Sequence, residues 1–338
     1  MKKLGLAIAG CLLIGVVVLV WMRGGKNSGV ERSPAAKKGE AFKPAEPTPS
    51  VVTEPAGRPS RPASSGPAAS ARPKMTNSMP EVTFKAEKAE GIPVGLRTIF
   101  GQDEKKDYFT RIKAVHQLGK NLSELEIDAL YLFLSRKNNE DNLNPGELDA
   151  LKNEVSMAIM GQQKTPVNYA NNLMAMYADS SHDDVWRDYC IQHLGQWYAK
   201  ADASEQALIA KTFWNAAEKK QLPIAGTALI ALSNNTGTPD ISKQDVADKA
   251  YELCADAQCG ELAKTTALQI CAMLGDKRVL PIARNIAESG ASVPLRMSAI
   301  ASVGTLGDKT DKPMLEKYAS STDVRLRKSA QGALGRLK

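Results

Sequence analysis

A degenerate helical phrase recurs seven times between Arg111 and Lys338, and it constrains the fold more than any other feature of the 338-residue chain. Counted from a starting position, the phrase puts a small residue at plus three: Ala114, Ser156, Cys190, Ala228, Ala267, Ala299 and Ala330. A large apolar or sulfur-bearing residue follows at plus seven: Leu118, Met160, Leu194, Leu232, Cys271, Val303 and Leu334. Plus eight is always Gly, Ser or Ala: Gly119, Gly161, Gly195, Ser233, Ala272, Gly304 and Gly335. The starting positions are Arg111, Asn153, Arg187, Ala225, Lys264, Arg296 and Arg327, in steps of 42, 34, 38, 39, 32 and 31 residues. Steps of that size are the period of helical solenoids. Plus three, plus seven and plus ten share one helical stripe, and small residues on a stripe let two backbones approach closely.

Punctuation between the copies places each one on the second helix of a hairpin. Ser123 with Glu126 reads as a capping box, and Asn144-Pro145 with Glu147 as a cap followed by proline at the first helical position. Thr165-Pro166, Asp202 with Ser204 and Glu205, and Ser242 with Asp245 read as further starts. Gly237 with Pro239 and Gly290 with Pro294 read as stops. No useful stretch alternates with the two-residue period of strands, so the expected fold class is all-α, a HEAT/armadillo-like α-α superhelix over residues 95–338.

The first 94 residues are a different material. Residues 4–22 carry no charge, follow Lys2 and Lys3, and as a helix would span about 28 Å, close to the hydrocarbon thickness of a bilayer. No small-x-small cleavage site follows this run, which ends in Val20, Trp21, Met22 and Arg23. Residues 1–23 therefore read as an uncleaved single-pass membrane anchor with Trp21 at the interface. Cys11, in Ile8-Ala9-Gly10-Cys11, reads as an ordinary membrane-buried residue rather than a lipidation site. Residues 24–94 read as a disordered linker rich in Pro, Ala and Ser, because ten of the eighteen prolines fall between residues 24 and 80 and large apolar residues are scarce there. As a random coil residues 24–80 would have a mean span of about 40 Å.

The net charge of +7 invites a nucleic-acid reading until it is located along the chain. Residues 1–94 carry 14 Lys and Arg against 7 Asp and Glu, whereas residues 95–338 carry 30 against 30. The repeat region is neutral, which argues against nucleic acid as a partner.

The last three copies carry a resemblance. They read Ala263-Lys264-x-x-Ala267 to Met273-Leu274-Gly275-Asp276, Leu295-Arg296-x-x-Ala299 to Leu306-Gly307-Asp308, and Leu326-Arg327-x-x-Ala330 to Gly335-Arg336-Leu337. Pro281 and Pro313 each follow the Asp of Leu-Gly-Asp by five residues. This resembles the short HEAT-like repeat of bilin lyases over residues 260–338 and does so weakly from 95 to 258. The resemblance implies a right-handed α-α superhelix that holds other proteins; it does not imply lyase activity, since many non-enzymes share the repeat.

Chemistry-bearing residues are few. His182 with Asp183 and Asp184 reads more simply as a helix cap than as a set of metal ligands, and no nucleophile, metal or phosphate motif appears. The sequence implies no enzyme, cofactor or metal. The expected partner is a protein or peptide. Candidate contact residues are the basic starting positions Arg187, Lys264, Arg296 and Arg327, which a stack would align along one rim, with Trp186 and Trp197 as anchors. The competing readings are internal pairing of the basic residues with acids such as Asp276 or Asp308, and core positions for the tryptophans. Cys254 and Cys259 stand five apart at an expected helix turn, a spacing that can support a disulfide in an oxidising periplasm or exterior. The resulting expectation is a scaffold on the cytoplasmic membrane with its repeat domain outside. An accessory or catalytic protein of the bilin-lyase-like family, or a basic linker binding polyanions, are the alternatives.

Overall fold

Helix boundaries fall largely where the capping chemistry puts them. In the computed structural model the described residues are 91–102, 107–138 and 141–337, all within the unit Thr76–Lys338; the chain's other unit, Met1–Met75, lies outside them. So do the anchor expected over residues 4–22 and most of the linker. Among the described residues no helix is long and apolar enough to cross a membrane.

These residues form thirteen α-helices and no strand. They are α1 (Tyr108–His116), α2 (Glu124–Leu134), α3 (Pro145–Met160), α4 (Tyr169–Ala178), α5 (Asp184–Trp197), α6 (Ala203–Ala217) and α7 (Ile224–Asn234). There follow α8 (Lys243–Ala255), α9 (Glu261–Leu274), α10 (Leu280–Glu288), α11 (Val293–Leu306), α12 (Lys312–Ala319) and α13 (Val324–Leu334). Ser123 and Asn144 close reciprocal capping boxes with Glu126 and Glu147, and Asp202 and Ser242 cap α6 and α8. Thr165-Pro166 is a correction: α4 begins three residues later, after Asn168 in the left-handed region at φ 61°. Pro281, Pro294 and Pro313 sit in the first turns of α10, α11 and α12, where a missing N–H costs no helical hydrogen bond.

All seven copies of the phrase begin on the odd-numbered helices, the first running past the end of α1 at Leu118 and Gly119. Each odd helix packs against the next odd helix, and each even helix packs against the odd helix that follows it. The result is a repeat-like stack of hairpins, compatible with a helical solenoid, in which every unit buries the face of its neighbour.

The small residues set the spacing of the odd layer. A Cβ added to Gly195 would stand 3.1 Å from that of Ala231, and one added to Gly304 would stand 2.5 Å from the Cα of Ala333. In both pairs plus eight of one copy meets plus six of the next. Nearer the amino ends, Gly226 faces Thr266 and Ala263. Ser298 and Ser302 of α11 meet Thr265 and Leu268 of α9 in the same chain order, so these adjacent odd helices run parallel. Hydroxyls stitch this seam as well: Ser298 donates to the Thr265 carbonyl, Ser302 to Leu268 and Ser329 to Met297, at 3.0, 3.1 and 3.0 Å. Close approach brings each hydroxyl within reach of a backbone acceptor on the next helix.

Candidate functional site

The four arginines among the basic starting positions turn inward rather than forming a free rim. Arg187 Nε donates to the Tyr177 carbonyl at 2.8 Å, Arg296 Nε to Ala287 at 3.1 Å, and Arg327 to Ser321 at 2.7 Å. Arg111, fully buried, does the same to Ile99 at 2.8 Å. Each acceptor lies at or just beyond the carboxy end of the preceding helical element, where carbonyls lack helical partners and the dipole favours a cation. Aromatic rings back three of these guanidinium groups: Phe133 under Arg111, Tyr177 under Arg187 and Tyr318 under Arg296, at 5.4–5.6 Å. Lys264 is half-buried and acts on the neighbouring thiols of Cys254 and Cys259 through its charge.

The acids expected as internal partners are occupied elsewhere. Asp276 is held by Arg278, Asp308 caps the turn at Thr310, and Asp311 takes Arg284 through both carboxylate oxygens at 2.6 and 2.9 Å. Arg111 has its own acid, pairing with Asp141 at 2.6 and 2.8 Å, and Arg136 shares that carboxylate at 2.9 Å.

Trp186 and Trp197 are core residues. Trp186 is fully buried against Lys152; Trp197 packs on Tyr169 with ring centroids 4.7 Å apart and donates to Glu205 at 3.1 Å. Neither presents a surface for contact. Cys254 and Cys259, the pair expected to bridge, are both free, buried thiols.

Asp183 caps α5, accepting from the Val185 and Trp186 backbone at 2.9 Å each. Beside it lies a cluster absent from the sequence reading, in which Asp149 and Lys152 of α3 meet Asp183, His182 and Asn138. Burial, then the Asp183 charge, pushes the Asp149 carboxyl up to about 7. Burial draws Lys152 down to about 8, and its ammonium donates to the Arg136 carbonyl. His182 falls to about 4, from burial first and then the charges of Lys152 and Lys137. Burial also raises Asp183, but bonds from the Trp186 backbone, Asn138 and Asp149 outweigh it and hold that carboxylate below its usual range. Asp149, Lys152 and His182 are sealed from solvent, and the cluster braces α3 against α5. Among the described residues no group of His, Cys, Asp and Glu could hold a metal ion.

Two surface features remain. A cleft of about 260 Å³ opens between the carboxy ends of α1 and α3, edged by Gly119, Gly161 and Met157, with His116 and Glu154 paired at 3.0 Å. The other is a set of exposed apolar side chains in the first turns of odd helices: Phe109 at 79%, Val185 at 56%, Leu262 at 61% and Val324 at 48% exposure. Phe109, Val185 and Leu262 stand two residues before their copies begin, as do exposed Pro223, the N-cap of α7, and half-buried Pro294 of α11; in α13 that place is Arg325, and Val324 precedes it. Because the odd helices run parallel, their first turns share one edge of the stack. In α1, α5 and α9 the sequence signal for this edge is an apolar residue two positions before the start of a copy; Leu151, at that position in α3, is buried instead.

No family model matches the chain, and no curated protein matches it.

Proposed function

We propose that this chain is a membrane-tethered HEAT-like scaffold. Its α-α superhelix, carried by an anchor over residues 4–22 and the linker of residues 24–94, holds a protein or peptide partner outside the cytoplasmic membrane. The observation that carries the reading is the edge formed by the exposed Val185, Pro223, Leu262 and Val324 at the amino ends of α5, α7, α9 and α13. Large apolar side chains left in water along one edge of a stack are a mark of an interaction surface. Packed helices stand about 8–10 Å apart, and an extended chain covers that distance in roughly three residues. A partner segment with an apolar residue at about every third position would therefore meet one unit of the edge per step.

The test is site-specific photo-crosslinking of the full chain in native membranes. Probes at Val185 and Leu262 are expected to trap the same partner, and a probe at exposed Glu316 of α12 is expected to trap none. V185D with L262D should abolish the adduct with the helical circular dichroism unchanged. Equal trapping at Glu316, or no adduct at the two apolar positions, would overturn the proposal.

A further inference from the structure

The neutral sum over the repeat region hides a division of charge. Residues 95–259 carry 17 Lys and Arg against 23 Asp and Glu, and residues 260–338 carry 13 against 7, so the first part stands at −6 and the second at +6. The excess gathers on the last hairpin. Residues 309–337 hold seven basic side chains and three acids, and one of those acids, Asp311, is taken by Arg284.

The packing of α13 decides where its cations stand. Ser329 donates to the Met297 carbonyl and Ala333 lies against Gly304, which turns one side of the helix onto α11. Arg327 reaches back to the Ser321 carbonyl. Arg325, Lys328, Gly332 and Arg336, at i, i+3, i+7 and i+11, fall on a second stripe, and all four are exposed. A Cβ on Gly332 would meet nothing within 4 Å, so the middle of this stripe is open backbone between long cationic side chains. Arg325 pairs with Asp323 at 2.9 Å. Among the described residues no acid pairs with Lys328 or Arg336, nor with exposed Lys309 and Lys317, at the entry and in the last turn of α12. A protein-binding face sets aromatic or aliphatic anchors among its polar contacts, and this stripe has none. Long cations around an open centre fit a flat array of phosphates instead.

We propose that the exposed stripe of α13 docks the repeat domain on anionic lipid headgroups, with Arg325, Lys328 and Arg336 as the contacting side chains. The proposal rests on the tethered reading above only for the nearness of a bilayer. Each cation meets a headgroup phosphate, and the interaction is screened by salt because every group involved stays at the water interface.

The full chain is reconstituted into vesicles of phosphatidylcholine alone or mixed with phosphatidylglycerol, with quencher-labelled headgroups. A fluorescent amino acid at exposed Gln331, beside the stripe, reports approach to the surface, and the same probe at exposed Leu125 of α2 is the control. Quenching at Gln331 is expected in the anionic vesicles only, and high salt should abolish it. R325Q with K328Q and R336Q should weaken docking roughly 100-fold, about fivefold per cation, with the helical circular dichroism unchanged. Equal quenching in both kinds of vesicle, an equal anionic response at Leu125, or an unchanged triple variant would overturn the proposal. So would saturable binding of polyglutamate at the stripe without any anionic-lipid response, which would assign the face to an acidic protein. Flotation with neutral vesicles tests the anchor by itself. A chain that floats only with anionic vesicles, and ceases to do so in the triple variant, keeps the docking face and loses the tether.

Discussion

Gly304 of α11 faces Ala333 of α13 so closely that a Cβ on Gly304 would stand 2.5 Å from the Ala333 Cα, whereas one on Gly332 would meet nothing within 4 Å. Both glycines are helical, so the two sites separate packing from backbone preference. G304A should overpack the seam and cost about 1–3 kcal/mol. G332A should gain about 0.5–1 kcal/mol from helix propensity. Denaturant unfolding of the two variants beside the parent checks both signs, and a neutral G304A would contradict the close approach.

The Arg187 clamp on Tyr177 should be worth more than its charge. R187A leaves a buried carbonyl without its donor and removes the 3.0 Å bond to Asp184, for an expected loss of about 1–3 kcal/mol. R187K keeps the cation but lacks the planar Nε fork, so it should recover only part of that loss. Thermal denaturation of the three chains ranks them.

Arg111 and Arg136 converge on Asp141, whose side chain is buried. Replacing it by Ala strands two cations and should cost about 3–5 kcal/mol. Burial raises this carboxyl, but Arg111 first, and then the Leu143 backbone and Arg136, hold it below its ordinary range. Its folded pKa is depressed, so its contribution is present above the unfolded carboxylate pKa of about 4 and is lost as pH falls through the lower folded value. D141A should therefore weaken the parent's stability difference between pH 6 and pH 3, as read by urea unfolding at each pH.

His193 is fully buried with no partner for either ring nitrogen, and burial lowers it to about 4. Between about pH 4 and 6.5 the unfolded chain binds a proton at this residue that the folded chain refuses, so stability rises with pH across that window. His182 acts with the same sign, and Asp149, raised to about 7, acts with the opposite one. H193L should remove one proton from the slope, about 1.4 kcal/mol per pH unit, and should stabilise the chain most below pH 5. D149N should steepen the same slope. Urea unfolding from pH 4 to 7 reads both.

The second helices are legible in the sequence because their small and large positions repeat in register, and Ser123, Asn144, Asp202 and Ser242 announce starts by local hydrogen bonding alone. Thr165-Pro166 misleads because Asn168 can take the left-handed turn that places the start of α4 later. The interior cluster is hidden for a different reason. Asp149 and Lys152, three apart, look like an ordinary solvated pair on a helix face until Asp183 and Trp186 of another hairpin cover them.

What the sequence alone determined is the all-α class of the described region, the number of phrase-bearing helices and the stripe each one buries. These follow from spacing within a single helix, which the chain writes locally. The tertiary structure decided which groups meet: that Arg187 clamps a carbonyl, that Trp186 and Trp197 are core, and that Cys254 and Cys259 are buried as free thiols. Those choices depend on the offset between neighbouring helices, a quantity set by close packing of Gly and Ala across the seam and carried by no single segment.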